Sequence, residues 1–135
     1  MTTQPTGLPR VGIGAVILDD QNRILLVLRK RHPEAGTWSI PGGKVEPYES
    51  LESAVLREIK EEVNLDVEID RLLCTAETIA PETGEHWVSI LYTVRVTGGT
   101  AMNREPDALG DLQWFPLDRL PENLACFTVP AIEAL

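Results

Sequence analysis

Three carboxylates, Glu58, Glu61 and Glu62, crowd into little more than one helical turn of the stretch REIKEEVNL, residues 57–65. Carboxylates three and four residues apart are neighbours on a helix and repel one another. A solvated acidic face is the plain reading, since glutamate is a good helix former. Solvated faces usually interleave both signs, however. Here Arg57 can pair with Glu61, while Lys60 falls off the cluster. The trio therefore calls for a cation, and a flexible set of oxygen donors suits Mg²⁺, Mn²⁺ or Ca²⁺ rather than zinc. Just upstream, PGGKVEPYE offers the adjacent pair Gly42 and Gly43, whose backbone can approach a ligand or metal closely. An ordinary turn would use the same pair.

The elements that must position these groups follow from periodicity. SLESAVLREIKEEV reads as a helix, with Ser50 as N-cap and Glu52 in the first turn, where the helix dipole favours an acid. Asn64 suits the left-handed position that ends a helix. At 100° per residue Val55, Leu56, Ile59 and Val63 form the core-facing stripe and the three glutamates face elsewhere. VGIGAVILDD and RILLVLRKR, around a polar turn, read as a hairpin buried on two faces over part of its length. LDVEIDRLLCTAETIA reads as one or two strands, followed after the turn PETGE by the longer strand HWVSILYTVRV. Residues 97–111 read as a loop, LQWFPL as a short strand, and the C-terminal residues as a loop and a short helix. Strands in two groups around one central helix predict α+β or a three-layer α/β/α sandwich.

Composition bounds the function. The chain has 135 residues, 43% of them apolar, and carries a net charge of −9, which argues against a nucleic-acid polymer as partner. It leaves open a small phosphorylated ligand that arrives with a metal. No stretch is long enough to span a membrane, and residues 1–10 read as a flexible arm without a signal core. Cys74 and Cys126 fit no metal-ligand spacing and read as buried free thiols, consistent with a cytoplasmic location. Trp38 reads as core, and His32 and His86 as loop or strand-edge residues without partners at ligand spacing.

Residues 42–65, GGKVEPYESLESAVLREIKEEVNL, resemble the signature box of the Nudix hydrolase family. Gly43, Glu49, Arg57, Glu58, Ile59, Glu61, Glu62 and Leu65 stand in register with it. Asn64 replaces the box's final glycine, and Tyr48 stands where many members carry glycine before the box glutamate. Residues 11–121 look like the small, MutT-like nucleotide pyrophosphohydrolase branch. The resemblance implies one Nudix domain over residues 11–135, folded as an α/β/α sandwich with a mixed central sheet. It implies metal ligation by Glu58, Glu61 and Glu62 with the Gly42 carbonyl as a fourth donor, Mg²⁺ as cofactor and Mn²⁺ as a substitute. It further implies that Arg57 orients Glu58 and Glu49, and that Glu58 can activate water. Glu105 is the candidate for an additional ligand or base, and Arg29, then Lys44, for substrate phosphate. The implied reaction splits a nucleoside diphosphate linked to another moiety. A nucleoside triphosphate yielding monophosphate and pyrophosphate is the first expectation; ADP-ribose or a nucleotide sugar is the alternative, with Pro81 as a weak pointer to it. A catalytically inactive nucleotide-sensing module is the rival of another class. A homodimer is left open.

Overall fold

The computed structural model describes residues 8–135. The arm expected over residues 1–10 lies outside the described residues as far as residue 7, and Arg10 already begins the first strand. The elements follow in the order β1 (Arg10–Ile17), β2 (Arg23–Arg29), β3 (Trp38–Ser39), β4 (Gly42–Lys44), α1 (Leu51–Val63), β5 (Leu65–Ala80), β6 (Glu85–Gly99), β7 (Leu109–Pro116) and α2 (Thr128–Glu133). One four-stranded sheet has the order β4-β1-β6-β5, with β1 parallel to β6 and the other pairs antiparallel. β2 pairs antiparallel with β3 and β7 in a second sheet. Among the described residues no helix is long and apolar enough to cross a membrane.

Side chains that alternate along β1 and β2 build two cores. Ile13, Ala15, Ile17, Leu25 and Val27 pack with Ala54, Val55, Ile59 and Val63 of α1. Val16, Ile24 and Leu26 point the other way and pack with Ile40, Leu91 and Ala131 of α2. Strands covered on both faces read as continuous apolar runs, as these do. The result is mixed α/β, with a mixed sheet flanked by helices, as the resemblance implies.

Three local expectations need correction. The β1–β2 hairpin does not form. Asp19 organises a turn by accepting the Gln21 and Arg23 N–H groups, and Leu18 bridges Ile24, but the two strands then enter different sheets. An apolar run shows that both faces are covered; it does not show which edges pair. Of the one or two strands expected after α1 one forms, the single strand β5, joined to β6 by the 3-10 turn Pro81–Thr83. Leu56 is 43% exposed, outside the α1 stripe. Cys126 is exposed in the loop before α2 and Cys74 is half-buried, and both are free thiols.

The ends of α1 are built as read. The Ser50 hydroxyl accepts the Ser53 N–H at 3.1 Å. Asn64 is left-handed, with φ 65° and ψ 32°, and its N–H donates to the Lys60 carbonyl. Its Nδ2 donates to the Thr100 carbonyl at 3.0 Å. Asn64→Val should therefore cost about 1 kcal/mol or more, because a β-branched residue resists this conformation. Asn64→Gly should lie close to the parent, relief of strain offsetting the lost side-chain bond. Thermal unfolding of both variants checks this; a valine variant that melts with the parent rules the cap out. Tyr48 also takes positive φ, 66°, with its side chain fully in solvent.

Candidate active site

The loop from β4 into α1 is tied to the helix by one side chain. Arg57 Nε and Nη2 donate to the two oxygens of Glu49 at 2.7 and 2.8 Å. Nη2 also donates to the Lys44 carbonyl at 3.0 Å, and Nη1 to Glu58 and Glu61 at 3.2 Å each. This fork-to-carboxylate geometry is the strong form of the ion pair. Hydrogen bonding from Arg57, then from the Glu46 N–H, holds the Glu49 carboxyl down at about 2. Arg57 is raised above its ordinary value by the same Glu49 contact. The guanidinium thus fixes the loop and aims Glu58, while Glu61 keeps half its side chain in solvent.

Glu58 and Glu62, four residues apart, turn inward beneath the glycine strand. Glu58 is 14% exposed; loss of solvent raises its carboxyl above the usual range, Arg57 opposes this, and Glu61 and Glu105 add to it. Glu62 is pushed up to about 8, first by loss of solvent and then by Glu58, with Glu105 adding to the rise. The Gly42 N–H, which donates to Glu62 Oε1 at 3.1 Å, and the nearby Arg29 act against it. The contact that ties Gly42 to the cluster is thus made by its N–H. Both glycines matter sterically. A Cβ on Gly43 would land on the Glu58 carboxyl, and one on Gly42 would land on the Ile13 carbonyl.

Glu105 reaches the cluster because the loop after β6 docks on the end of α1. Met102 and Arg104 N–H groups donate to the Val63 and Glu62 carbonyls at 2.9 Å, satisfying acceptors that a helix end leaves free. Asn103 Oδ1 accepts the Glu105 N–H and shapes the turn. Arg29, at the end of β2, donates from Nε to the Pro33 carbonyl at 2.8 Å and lies near enough to Glu62 to stabilise its charge. The exposed Lys44 lines the same recess as Arg29 and Glu62.

Among the described residues, no three His, Cys, Asp or Glu side chains are gathered closely enough to hold an ion as they stand. The donor chemistry nevertheless fits a hard divalent cation. Every side chain offered is a carboxylate, Glu58 and Glu62 have lost water without an equal gain of positive charge, and Gly43, lacking a Cβ, lets the Glu58 carboxylate lie against its backbone.

The recess is lined also by Glu34, Thr78, Trp87 and Phe127. Glu34 and Phe127 carried no signal in the sequence, since each gains its place only from distant chain. Trp38 packs edge-to-face on Phe115, with ring centroids 4.9 Å apart, and belongs to the core.

Known proteins share this arrangement of chain. The NUDIX domain family matches residues 8–135. The crystal structure of a MutT NUDIX hydrolase from Burkholderia pseudomallei superposes with a TM-score of 0.90 at 47% identity, over 95% of this chain and 98% of that one. The ADP-ribose pyrophosphatase of Methanocaldococcus jannaschii is 36% identical over 114 residues, 84% of this chain and 66% of its own. The 8-oxo-dGDP phosphatase NUDT18 of Homo sapiens is 34% identical over 112 residues, 82% of this chain and 33% of its own. This chain therefore spans about two thirds of the archaeal relative's length and about a third of the human one's.

Proposed function

The chain belongs to the Nudix family, and from that premise we propose that it is a metal-dependent hydrolase of a nucleoside diphosphate linked to a further group, with ADP-ribose as the foremost substrate. One structural observation carries the reading. Glu62, raised first by loss of solvent and then by Glu58 and Glu105, opens onto the same recess as Arg29 and the glycine pair, and Glu58 lies beside it against Gly43. That juxtaposes a cation-seeking cluster with a phosphate-binding cation and a pocket for the rest of a nucleotide.

The relatives favour one substrate class. The archaeal one is an ADP-ribose pyrophosphatase and the human one an 8-oxo-dGDP phosphatase. Both relatives act on a nucleoside diphosphate, which supports that class of substrate for this chain. This shifts the reading from the nucleoside triphosphate, which the sequence alone favours, to its diphosphate-linked alternative.

The residues divide the work. Glu58 and Glu62, with Glu61 and Glu105 at the margin, would hold the divalent cation, which when bound neutralises phosphate charge and makes water acidic enough to attack. Arg57 keeps Glu58 and Glu49 in place. Arg29, restrained at Nε by Pro33, keeps its remaining donors for a phosphate oxygen. Glu58, which loss of solvent raises above the ordinary carboxylate range, is the residue assigned to take a proton from the attacking water.

The test is a panel of ADP-ribose, a nucleotide sugar, 8-oxo-dGDP and nucleoside triphosphates, each with Mg²⁺, with Mn²⁺ and with chelator. ADP-ribose should give AMP and ribose 5-phosphate, with kcat/KM about tenfold or more above any triphosphate, and chelator should abolish turnover. Faster release of pyrophosphate from triphosphates restores the first expectation. Turnover of nothing under any metal leaves a binding module.

A further inference from the structure

Asn64 does more than end α1. A glycine, which the resemblance expects there, could end the helix but has no side chain to reach the loop after β6. Asn64 reaches that loop with both ends of its amide. Its Nδ2 donates to the Thr100 carbonyl at 3.0 Å, and its Oδ1 accepts a longer bond, 3.4 Å, from Arg104 Nη1. Along the same segment the Met102 N–H donates to the Val63 carbonyl and the Arg104 N–H to the Glu62 carbonyl, both at 2.9 Å. Residues 100, 102 and 104 are thus each fastened to the last residues of α1 or to its cap. The chain is shaped for this close approach. Gly99 has φ 87°, and a Cβ on it would land on the Asn64 carbonyl.

The residue that follows Arg104 is Glu105. Its N–H donates to Asn103 Oδ1 at 3.0 Å, and Asn103 Nδ2 donates to the Leu109 carbonyl at 2.9 Å. The Glu105 carbonyl accepts the Ala108 and Leu109 N–H groups at 2.9 Å each. Residues 103–109 therefore form a closed turn. One side of it is held by Lys30, whose N–H donates to the Ala108 carbonyl and whose Nζ donates to the Pro106 carbonyl, both at 3.0 Å. The other side is held by the end of α1. Glu105 lies close enough to Glu58 and Glu62 to add its negative charge to theirs. Like charges repel, so without a cation the turn is pushed away from the helix unless its backbone is tied down.

We infer that Asn64 is a positioning residue: by fastening residues 100–104 to the end of α1, its side chain keeps the Glu105 carboxylate beside Glu58 and Glu62, where it completes the donor set for a divalent cation. The inference rests on the reading of that cluster as a cation site and adds the residue that assembles it. A left-handed conformation favours glycine over asparagine. This chain accepts that cost at φ 65° and gains a side chain that spans from the helix cap to the loop. The departure from the family box is thereby linked to a carboxylate that lies outside the box, 41 residues further along.

Asn64→Gly keeps the left-handed turn and removes only the reach, so it separates positioning from capping. Mn²⁺ binding is followed by calorimetry without substrate, at a temperature where every variant is folded. The parent, Asn64→Gly, Glu105→Gln and the double variant are compared. Asn64→Gly should bind Mn²⁺ about fivefold or more weakly than the parent, the scale of one lost hydrogen bond. Glu105→Gln should weaken binding at least as much. In that background Asn64→Gly should add less than about twofold, because residues that act through one contact do not add. Amide exchange at Met102 and Arg104 should quicken about tenfold in Asn64→Gly, while Ile59 in the middle of α1 exchanges as in the parent. A cap with no positioning role would leave Mn²⁺ affinity alone. Parent-like affinity in Asn64→Gly or in Glu105→Gln overturns the proposal and leaves the cation site standing. So does an equal loss in both backgrounds, or unchanged exchange at Met102 and Arg104. A parent protein that binds no Mn²⁺ overturns the cation reading and the proposal together.

Discussion

Glu62→Gln should lower kcat by about two orders of magnitude or more while making the metal-free protein more stable. The loss follows if Glu62 helps hold the cation, because a bound metal contributes several kcal/mol to the transition state. The gain follows from the carboxyl's surroundings. Its value in the folded protein, about 8, lies above the ordinary 4.5. Between those two values the folded state holds a proton that the unfolded state has released, so the parent loses stability as pH rises through that window. The amide never ionises, and its oxygen can still accept the Gly42 N–H. In chelator, the variant should melt with the parent near pH 4.5 and progressively above it up to about pH 8, where the difference levels off. A variant that turns over normally in saturating Mg²⁺ removes Glu62 from the metal site. One that melts below the parent at pH 8 shows that the charge is not the burden.

Alanine at each of the two adjacent glycines should fail in opposite ways. A Cβ on Gly42 meets the Ile13 carbonyl and lies 2.8 Å from the Gly14 Cα, both backbone atoms of β1. The β1–β4 ladder must then part, at a cost of about 3 kcal/mol or more. A Cβ on Gly43 meets the end of the Glu58 side chain, which can move. Gly43→Ala should melt within a few degrees of the parent, yet lose about tenfold to a hundredfold in kcat, because misplacing a reacting group by about 1 Å is that costly. Melting curves and turnover of the two variants settle it. Equal melting of both, or full activity in Gly43→Ala, removes the assigned steric roles.

What could be read from the sequence was mostly what is local. The caps of α1 depend on residues within four positions, so Ser50 and Asn64 announced themselves. The carboxylates lie on one helix, so their crowding was visible before any fold was known. Glu105 came from the resemblance alone, and its approach to Glu62 depends on hydrogen bonds from Met102 and Arg104 to the helix end. The pairing of β1 is not local, because the choice of partner edge is global: β1 takes β6, some 75 residues away, in preference to its chain neighbour. Glu34 was invisible for the same reason. Nothing in HPEAGTW tells that its carboxylate will meet the backbone of Cys126.

The long hairpin has a bearing on how the protein behaves in concentrated solution. β5 is an outer strand of 16 residues that exposes Leu72 and Ile79, and a strand of that length with a free edge is a template for fibrils. Its ladder with β6 slips between Ile69 and Arg71 and again between Leu72 and Cys74, where β5 carries the extra residue each time. Each bulge bends the strand and breaks the regular alternation of donors and acceptors. Glu68, Asp70, Arg71 and Glu77 add charge along its exposed positions. A second copy approaching that edge meets only short aligned stretches between kinks, so the irregular ladder guards the longest strand of the fold against amyloid-like stacking.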